Sequence, residues 1–274
     1  MQSYATLLVD VQDKIAKVTL NRPDKRNAMN PQMHLDMTDL LEELRYDDRV
    51  TVVVFTGAGK SFCGGMDLKE FFHELKGKDP RQYDRITRLA TEWRGRTLRY
   101  YPKPTIAMIN GFVFGGGFGF VEGCDLGFAA DEATFGLSEI NFGMFPGGCV
   151  SKALANILRP RDALLYAMSG ETFNGQQAAE MGLVNASVPL ADLEAETMKW
   201  ATKIAGKDPA ALRATKDAYR FSLEMSWEAS MNYTAAKEQE VFVAQKGGWL
   251  KEGIGDFVDG KYKPGLQGKE TMRK

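Results

Sequence analysis

A chain of 274 residues with 44% hydrophobic content is long enough to bury a large core as one domain with an appendage. Its 35 basic and 36 acidic residues leave a formal charge of −1, with no basic surplus of the kind that nucleic acid would require. Three separated cysteines without a CxxC pair, Cys63, Cys124 and Cys149, read as reduced thiols of a cytoplasmic protein. The opening MQSYATLLVDVQDK lacks the basic-then-apolar pattern of a signal peptide. The uncharged run from Thr105 to Val121 is shorter than the ~20 residues of a membrane span. Its five glycines and Asn110 also argue for buried core and against membrane.

Residues 5–20 predict a hairpin, with apolar runs at Ala5–Val11 and Ile15–Leu20 around a polar turn at Gln12-Asp13-Lys14. Asn21-Arg22-Pro23 ends the second strand, and a charged loop follows over 24–29. Pro31 suits a helix start, and Met33, Met37, Leu40, Leu41 and Leu44 recur at helical spacing after it. Thr51–Thr56 predicts a buried strand ending at Gly57-Ala58-Gly59. Residues 61–71 predict a loop that turns into a helix, with Asp67 as N-cap. A polar-amphipathic segment over 79–100 precedes a second strand at Thr105–Ile109, broken by Asn110-Gly111. Gly115-Gly116-Gly117 then opens a helix. The sequence of strand, glycine loop and helix thus occurs twice, at 51–72 and 105–123. Each glycine turn offers free backbone N–H groups at a helix start, in a chain of α/β class.

Phe135–Ile140 reads as a strand-like apolar run. One helix from Val150 should end before Pro160, and Arg161–Met168 forms another. A turn at 170–175 leads to a helix stopped at Gly182 and then a strand. From Pro189 to about Lys246 the composition is helical, and a helical piece around Asp256-Phe257-Val258 precedes a Lys/Gly-rich tail. The composition shift near residue 200 divides a core over 1–199 from a helical subdomain over 200–274.

Three adjacent glycines are costly in regular structure, because glycine loses the most backbone entropy on folding. Close approach to a ligand or close packing against another element would each account for them. The run carries no GK[ST] and no GxGxxG, which argues against a phosphate loop or a dinucleotide fingerprint. Glu139 stands out as a carboxylate in an apolar run near exposed N–H groups, which is how general bases are placed; a buried ion pair is the other reading. Glu122 admits both a catalytic role and a plain helix-end role. His34 and His73 form no triad or metal pair, and no Cys/His/Asp spacing suggests zinc, so no metal is expected.

In order along the chain stand NRPDKRNAM (21–29), FTGAGKSFCGGMDLKEF (55–71), KPTIAMINGFVFGGGF (103–118), CDLGFAADEATFGLSEINFGMFPGG (124–148) and GETFNGQQAAEMGLVNASVP (170–189). Together they resemble the enoyl-CoA hydratase/isomerase (crotonase) superfamily over nearly the whole chain. Residues 65–70, FGLSEIN and the terminal KPGLQ are most similar to its hydroxycinnamoyl-CoA hydratase-lyases. Those enzymes hydrate a feruloyl- or coumaroyl-type thioester and cleave it to an aromatic aldehyde and acetyl-CoA, in aromatic catabolism. The resemblance implies a spiral of ββα units, followed by helices that build trimers, often paired into hexamers. It implies backbone N–H groups of Met66 and Gly116 as the oxyanion hole and Glu139 as the residue that activates water. Lys25 and Arg26 match the basic loop near the CoA phosphates, while Gly64, Leu68 and Gly117 match the acyl-CoA channel. No cofactor is implied, since coenzyme A is part of the substrate; neither a nucleic acid nor a membrane partner is implied.

Several positions depart from the family pattern. Hydratases carry a second glutamate just after the Gly-Gly-Gly-X run, and hydratase-lyases a serine; here that residue is Gly119, with Glu122 three residues on. Two tyrosines that meet the substrate's para-hydroxyl in the subgroup are Phe71 and Ala235 here, with Tyr233 two residues earlier. Phe71, Phe118 and Phe142 would give an apolar, aromatic acyl pocket. Hydration without cleavage, isomerisation or thioester hydrolysis on a non-phenolic acyl-CoA is therefore the alternative chemistry. A binding protein that kept the fold is the third reading, disfavoured by the charge of −1 and by the intact Glu139.

Overall fold

The computed structural model describes residues 3–75 and 79–261. Val, Ile and Phe dominate the strand interiors, whose branched and aromatic side chains suit a pleated, buried surface. Strands β1 (Leu7–Gln12) and β2 (Ile15–Leu20) form the expected antiparallel hairpin. Its tight turn puts Asp13 and Lys14 at positive φ, 50° and 65°, the backbone that matches strand twist in two-residue hairpins. The helix Pro31–Arg45 begins where Pro31 predicts, because the Asn30 side chain accepts from Met33 N–H and caps it.

Three ββα turns follow. Strands β3 (Val52–Gly57), β5 (Thr105–Ile109), β7 (Leu126–Ala130) and β10 (Ala186–Val188) join β2 in a large sheet of order β1-β2-β3-β5-β7-β10. The short strands β4 (Ser61–Cys63), β6 (Phe112–Phe114) and β8 (Thr134–Gly136) join β9 (Thr172–Asn174) in a second sheet of order β4-β6-β8-β9. Each turn of the spiral contributes one strand to each sheet and then a helical segment: Leu68–Leu75, Gly117–Gly123 and Ser138–Phe142. The segment 61–71 is therefore part strand and not all loop, and residues 170–175 also contain a strand. The run 135–140 leaves its strand at Gly136 and continues as a 3-10 turn. Strand β10 (Ala186–Val188) closes the large sheet in parallel with β7.

The chain divides into two compact units, Met1–Ala205 and Gly206–Lys274. The first contains both sheets and a continuous core, in which Phe55, Phe62, Phe120 and Trp93 interlock edge to face. A smaller cluster of Phe71, Leu75, Ile86 and Ala90 joins the segment Leu68–Leu75 to the helix Pro80–Glu92. The second unit is helical, with Pro209–Ser222 and Trp227–Ala244 as its long members, capped by Asp208 and Ser226, and a short helix at Gly255–Val258. The motif KPGLQ lies outside the described residues. No described helix is long and apolar enough to cross a membrane.

Candidate active site

Strands β4, β6 and β8 are parallel neighbours, so the chain leaves all three at the same edge of the small sheet. The C-terminal edge of parallel strands is where α/β proteins gather functional loops. The first exit is Gly64-Gly65-Met66. Gly64 N–H donates to Arg26 O at 2.8 Å, Met29 N–H to Gly65 O at 2.7 Å and Asp67 N–H to Met29 O at 3.0 Å. Both sides of Met66 are thus pinned, while its own N–H has no acceptor among the described residues. Gly65 sits at φ +87°, and a Cβ there would lie 2.6 Å from Phe114 O and 3.4 Å from Gly116 N. Only glycine lets this loop press against the next one.

The second exit is Gly115-Gly116. Gly115 N–H donates to Gly136 O at 3.1 Å and Gly115 O accepts from Phe118 N–H at 3.0 Å, which leaves Gly116 N–H without an acceptor among the described residues. A Cβ on Gly116 would meet Met66 Cγ at 3.3 Å. Two unsatisfied backbone donors therefore stand on touching loops, each just before a helical segment, an arrangement suited to a developing oxyanion.

The third exit supplies the candidate acid–base group. The helical turn Ser138–Phe142 places the Glu139 carboxylate against the glycine loop, its Oε1 only 2.9 Å from where a Gly115 Cβ would be. Its Oε2 is buried without a partner. Burial lifts the Glu139 pKa above the ordinary glutamate value of 4.5, against the effect of its own backbone N–H. A carboxylate biased toward the neutral acid and free at one oxygen is equipped to take up and return a proton.

Glu122 does not share this setting. Its carboxylate is buried in an ion pair with Arg99 and also accepts from Asn156 Nδ2 at 3.2 Å. Glu122 is thus a buried ion-pair partner, whereas one oxygen of Glu139 is left open. Gly119 has no room for a side chain as the site stands, because a Cβ would lie 2.3 Å from Cys149 Sγ.

The remaining candidates separate. Lys25 and Arg26 are exposed on the loop held by Gly64, with the Arg26 guanidinium 5.2 Å from the Phe112 ring centroid. Leu68 is 56% exposed at the start of its helical segment. Gly117 is closed in by Cys63 O and Val113, at 3.1 and 3.2 Å from a Cβ, so close packing accounts for the glycine. Phe71 is 2% exposed and shares its cluster with Met66 of the first donor loop, Leu35 and Tyr83. Phe118 is a correction to the pocket assignment: it is main-core, edge-on to Phe135 and Phe173. Phe142 is 66% exposed. Tyr233 and Ala235 lie on Trp227–Ala244 of the second unit, where Tyr233 packs edge-on against Phe221.

Sequence reading missed Arg94. It is buried within the turn Trp93–Thr97, and its Nη1 donates to Gly116 O at 3.2 Å. The signal was its spacing: Ile86, Ala90 and Arg94 recur every four residues, which sets a cation on an inward face. Cys149, by contrast, carried no sequence signal as the neighbour of Gly119. No cluster of three or more His, Cys, Asp or Glu able to hold a metal occurs among the described residues.

The enoyl-CoA hydratase/isomerase family matches residues 10–267. The chain is 48% identical over 265 residues to a hydroxycinnamoyl-CoA hydratase-lyase of Pseudomonas fluorescens, covering 96% of each. Its fold is similar to that of an enoyl-CoA hydratase of Mycobacterium smegmatis (TM-score 0.85, 27% identity, 93% of this chain and 96% of that one). A Bacillus anthracis enoyl-CoA hydratase is similar at TM-score 0.84, 28% identity and the same coverage of 93% and 96%. With the ββα spiral and three converging loops, these matches make the chain a member of the enoyl-CoA hydratase/isomerase family.

Proposed function

We propose that this enzyme adds water to an arylacrylyl-CoA thioester of the hydroxycinnamoyl or feruloyl type and cleaves the adduct to an aromatic aldehyde and acetyl-CoA. The observation that carries this reading is the Glu139 carboxylate, one oxygen unpartnered, held against the loop whose Gly116 N–H stands free beside that of Met66. In hydration, Glu139 takes a proton from water as the oxygen adds to the β-carbon, and the thioester oxygen becomes an enolate. The N–H groups of Met66 and Gly116 stabilise that enolate, a contribution of ~3–4 kcal/mol for each such donor. The proton returns to the α-carbon. In cleavage, Glu139 removes the β-hydroxyl proton and the Cα–Cβ bond breaks. The electron pair passes into the acetyl-CoA enolate, and the same proton completes acetyl-CoA. The thioester itself acidifies the α-carbon, so coenzyme A enters as part of the substrate. The exposed Lys25 and Arg26 are suited to its phosphates.

Beside Met66 the pocket wall is apolar through Phe71, which favours an aromatic acyl group without a dedicated hydroxyl at that residue. A homotrimer or homohexamer is the assembly we expect. Exposed apolar side chains at Ile140, Phe142, Met144 and Phe145 in the first unit and Trp227 and Met231 in the second support it, and native mass spectrometry counts the copies. A cytoplasmic role in aromatic catabolism fits this chemistry.

The test is mass-spectrometric product analysis with 4-hydroxycinnamoyl-, feruloyl-, cinnamoyl- and crotonyl-CoA. Aldehyde and acetyl-CoA in equal amounts from the para-oxygenated thioesters are expected. Hydrated thioester without aldehyde from every substrate would reduce the activity to hydration.

A further inference from the structure

Arg94 is 6% exposed, and no carboxylate forms an ion pair with it among the described residues. Among the described residues its hydrogen bonds go to two carbonyls: Nε donates to Ala90 O at 2.9 Å and Nη1 to Gly116 O at 3.2 Å. The thiols of Cys63 and Cys149 and the neutral His34 ring stand within electrostatic reach. A buried guanidinium stays charged, and a buried charge without a counter-ion is a strongly unfavourable arrangement. Packing does not explain it either, since an apolar residue at 94 would continue the inward row of Ile86 and Ala90.

What distinguishes the place is its neighbour. Nη1 lies 2.8 Å from where a Gly116 Cβ would be, on the residue that also offers a free N–H to the candidate oxyanion. We propose that Arg94 is a positioning residue for the enolate: its guanidinium grips Gly116 through the carbonyl and sets beside the oxyanion hole a positive charge that is balanced only when the thioester oxygen becomes negative. The inference rests on the enolate-forming function proposed above. A neutral thioester gains little from this charge and an enolate gains much, so the effect belongs to the reaction step and not to substrate binding. The cost is carried by the free enzyme as reduced stability.

Both consequences are measured in Arg94→Gln, Arg94→Met and Arg94→Lys, with 4-hydroxycinnamoyl-CoA as the probe. Turnover of that thioester by the wild type comes first, and its absence would count against the enolate function before any variant is made. Given turnover, kcat should fall about 10- to 100-fold in the Gln and Met variants, somewhat less than for loss of a direct oxyanion donor. KM should stay within about threefold, Tm should equal or exceed that of the wild type, and Lys should recover part of the loss. A merely structural Arg94 would instead lower Tm and kcat together and leave Lys no better than Gln. Either that pattern or kcat within about threefold of wild type in both neutral variants overturns the proposal. So does failure of both to fold, because the uncompensated charge is inferred to weaken the fold.

Discussion

Glu139 holds its charge where the neutral acid is favoured, and two measurements follow from that. Its folded pKa lies above the ordinary value of 4.5, so its stabilising contribution is complete below that value and is lost as pH rises through the raised folded value. Glu139→Gln removes the titration, so at pH 7 the variant should melt at or above the wild-type Tm. Its turnover should drop at least ~100-fold through loss of the base. A less stable variant, or one that retains over about a tenth of the activity, would move the proton chemistry elsewhere. The acid limb of the wild-type kcat/KM profile should fall above pH 4.5 for the same reason. Gly119 sets a second test at this scale. Gly119→Ser drives its Cβ into Cys149 Sγ, 2.3 Å away, and should cost about 1–3 kcal/mol by overpacking. Cys149→Ala in the same chain should recover most of it, so a urea double-mutant cycle should return a coupling of about 1 kcal/mol or more. Additive effects would mean that the thiol simply turns aside.

The element that carries Met66 is anchored by a residue outside the site. Arg22 donates to Ala28 O at 2.6 Å and to Asp67 Oδ2 at 2.9 Å, and it also pairs with Glu70. Asp67 Oδ1 in turn accepts from Lys69 and Glu70 N–H and starts the segment Leu68–Leu75. Arg22→Met strands the buried Asp67 and should cost about 3 kcal/mol in urea unfolding, the lower end for a broken buried pair. It should also slow turnover, since the chain on both sides of Met66 loses its tether; full activity would uncouple this network from the donor loop. The Asp67 cap was legible in sequence, as were the hairpin and the helix at Pro31, because each rests on residues adjacent in the chain. The strands β4, β6 and β9 were not, and β8 was legible only in part. Three residues are too few for an alternation pattern, and neighbours distant in sequence fix their pairing. The two glutamates show the same limit. Nothing near Glu122 announces Arg99, 23 residues earlier, and nothing near Glu139 announces that no such partner arrives.

Across the whole molecule, His34 ties the first helix to the segment beneath the site. It is fully buried, with Nδ1 accepting from Trp93 Nε1 at 3.0 Å and its ring 5.6 Å from Phe71. Burial, with help from Arg94, pulls its pKa from 6.5 down to about 3. Folding therefore excludes a proton that the unfolded chain accepts. The stability involved is complete above pH 6.5 and drains as pH falls toward 3, by about 1.4 kcal/mol per pH unit. Urea unfolding of wild type and His34→Leu should give curves that converge as pH is lowered from 7 to 5. A gap that stays constant over that range would mean that the imidazole takes up its proton in place. This acid sensitivity sits where His34 meets both Phe71 and Trp93, so acid should loosen the packing between the Phe71 cluster and the main core.

The three exits of the small sheet give this architecture a further property. Each turn of the spiral delivers one working part to a common edge: a donor, a second donor, then a carboxylate. The two free donors and the carboxylate thus sit on different repeats, joined by sheet pairing and not by a shared loop. Such a chain is modular for reaction type. Under the proposed function, exchanging the segment after β8 would alter where the proton goes while leaving the two donor loops in place, so that new chemistry could arise by replacing a single turn.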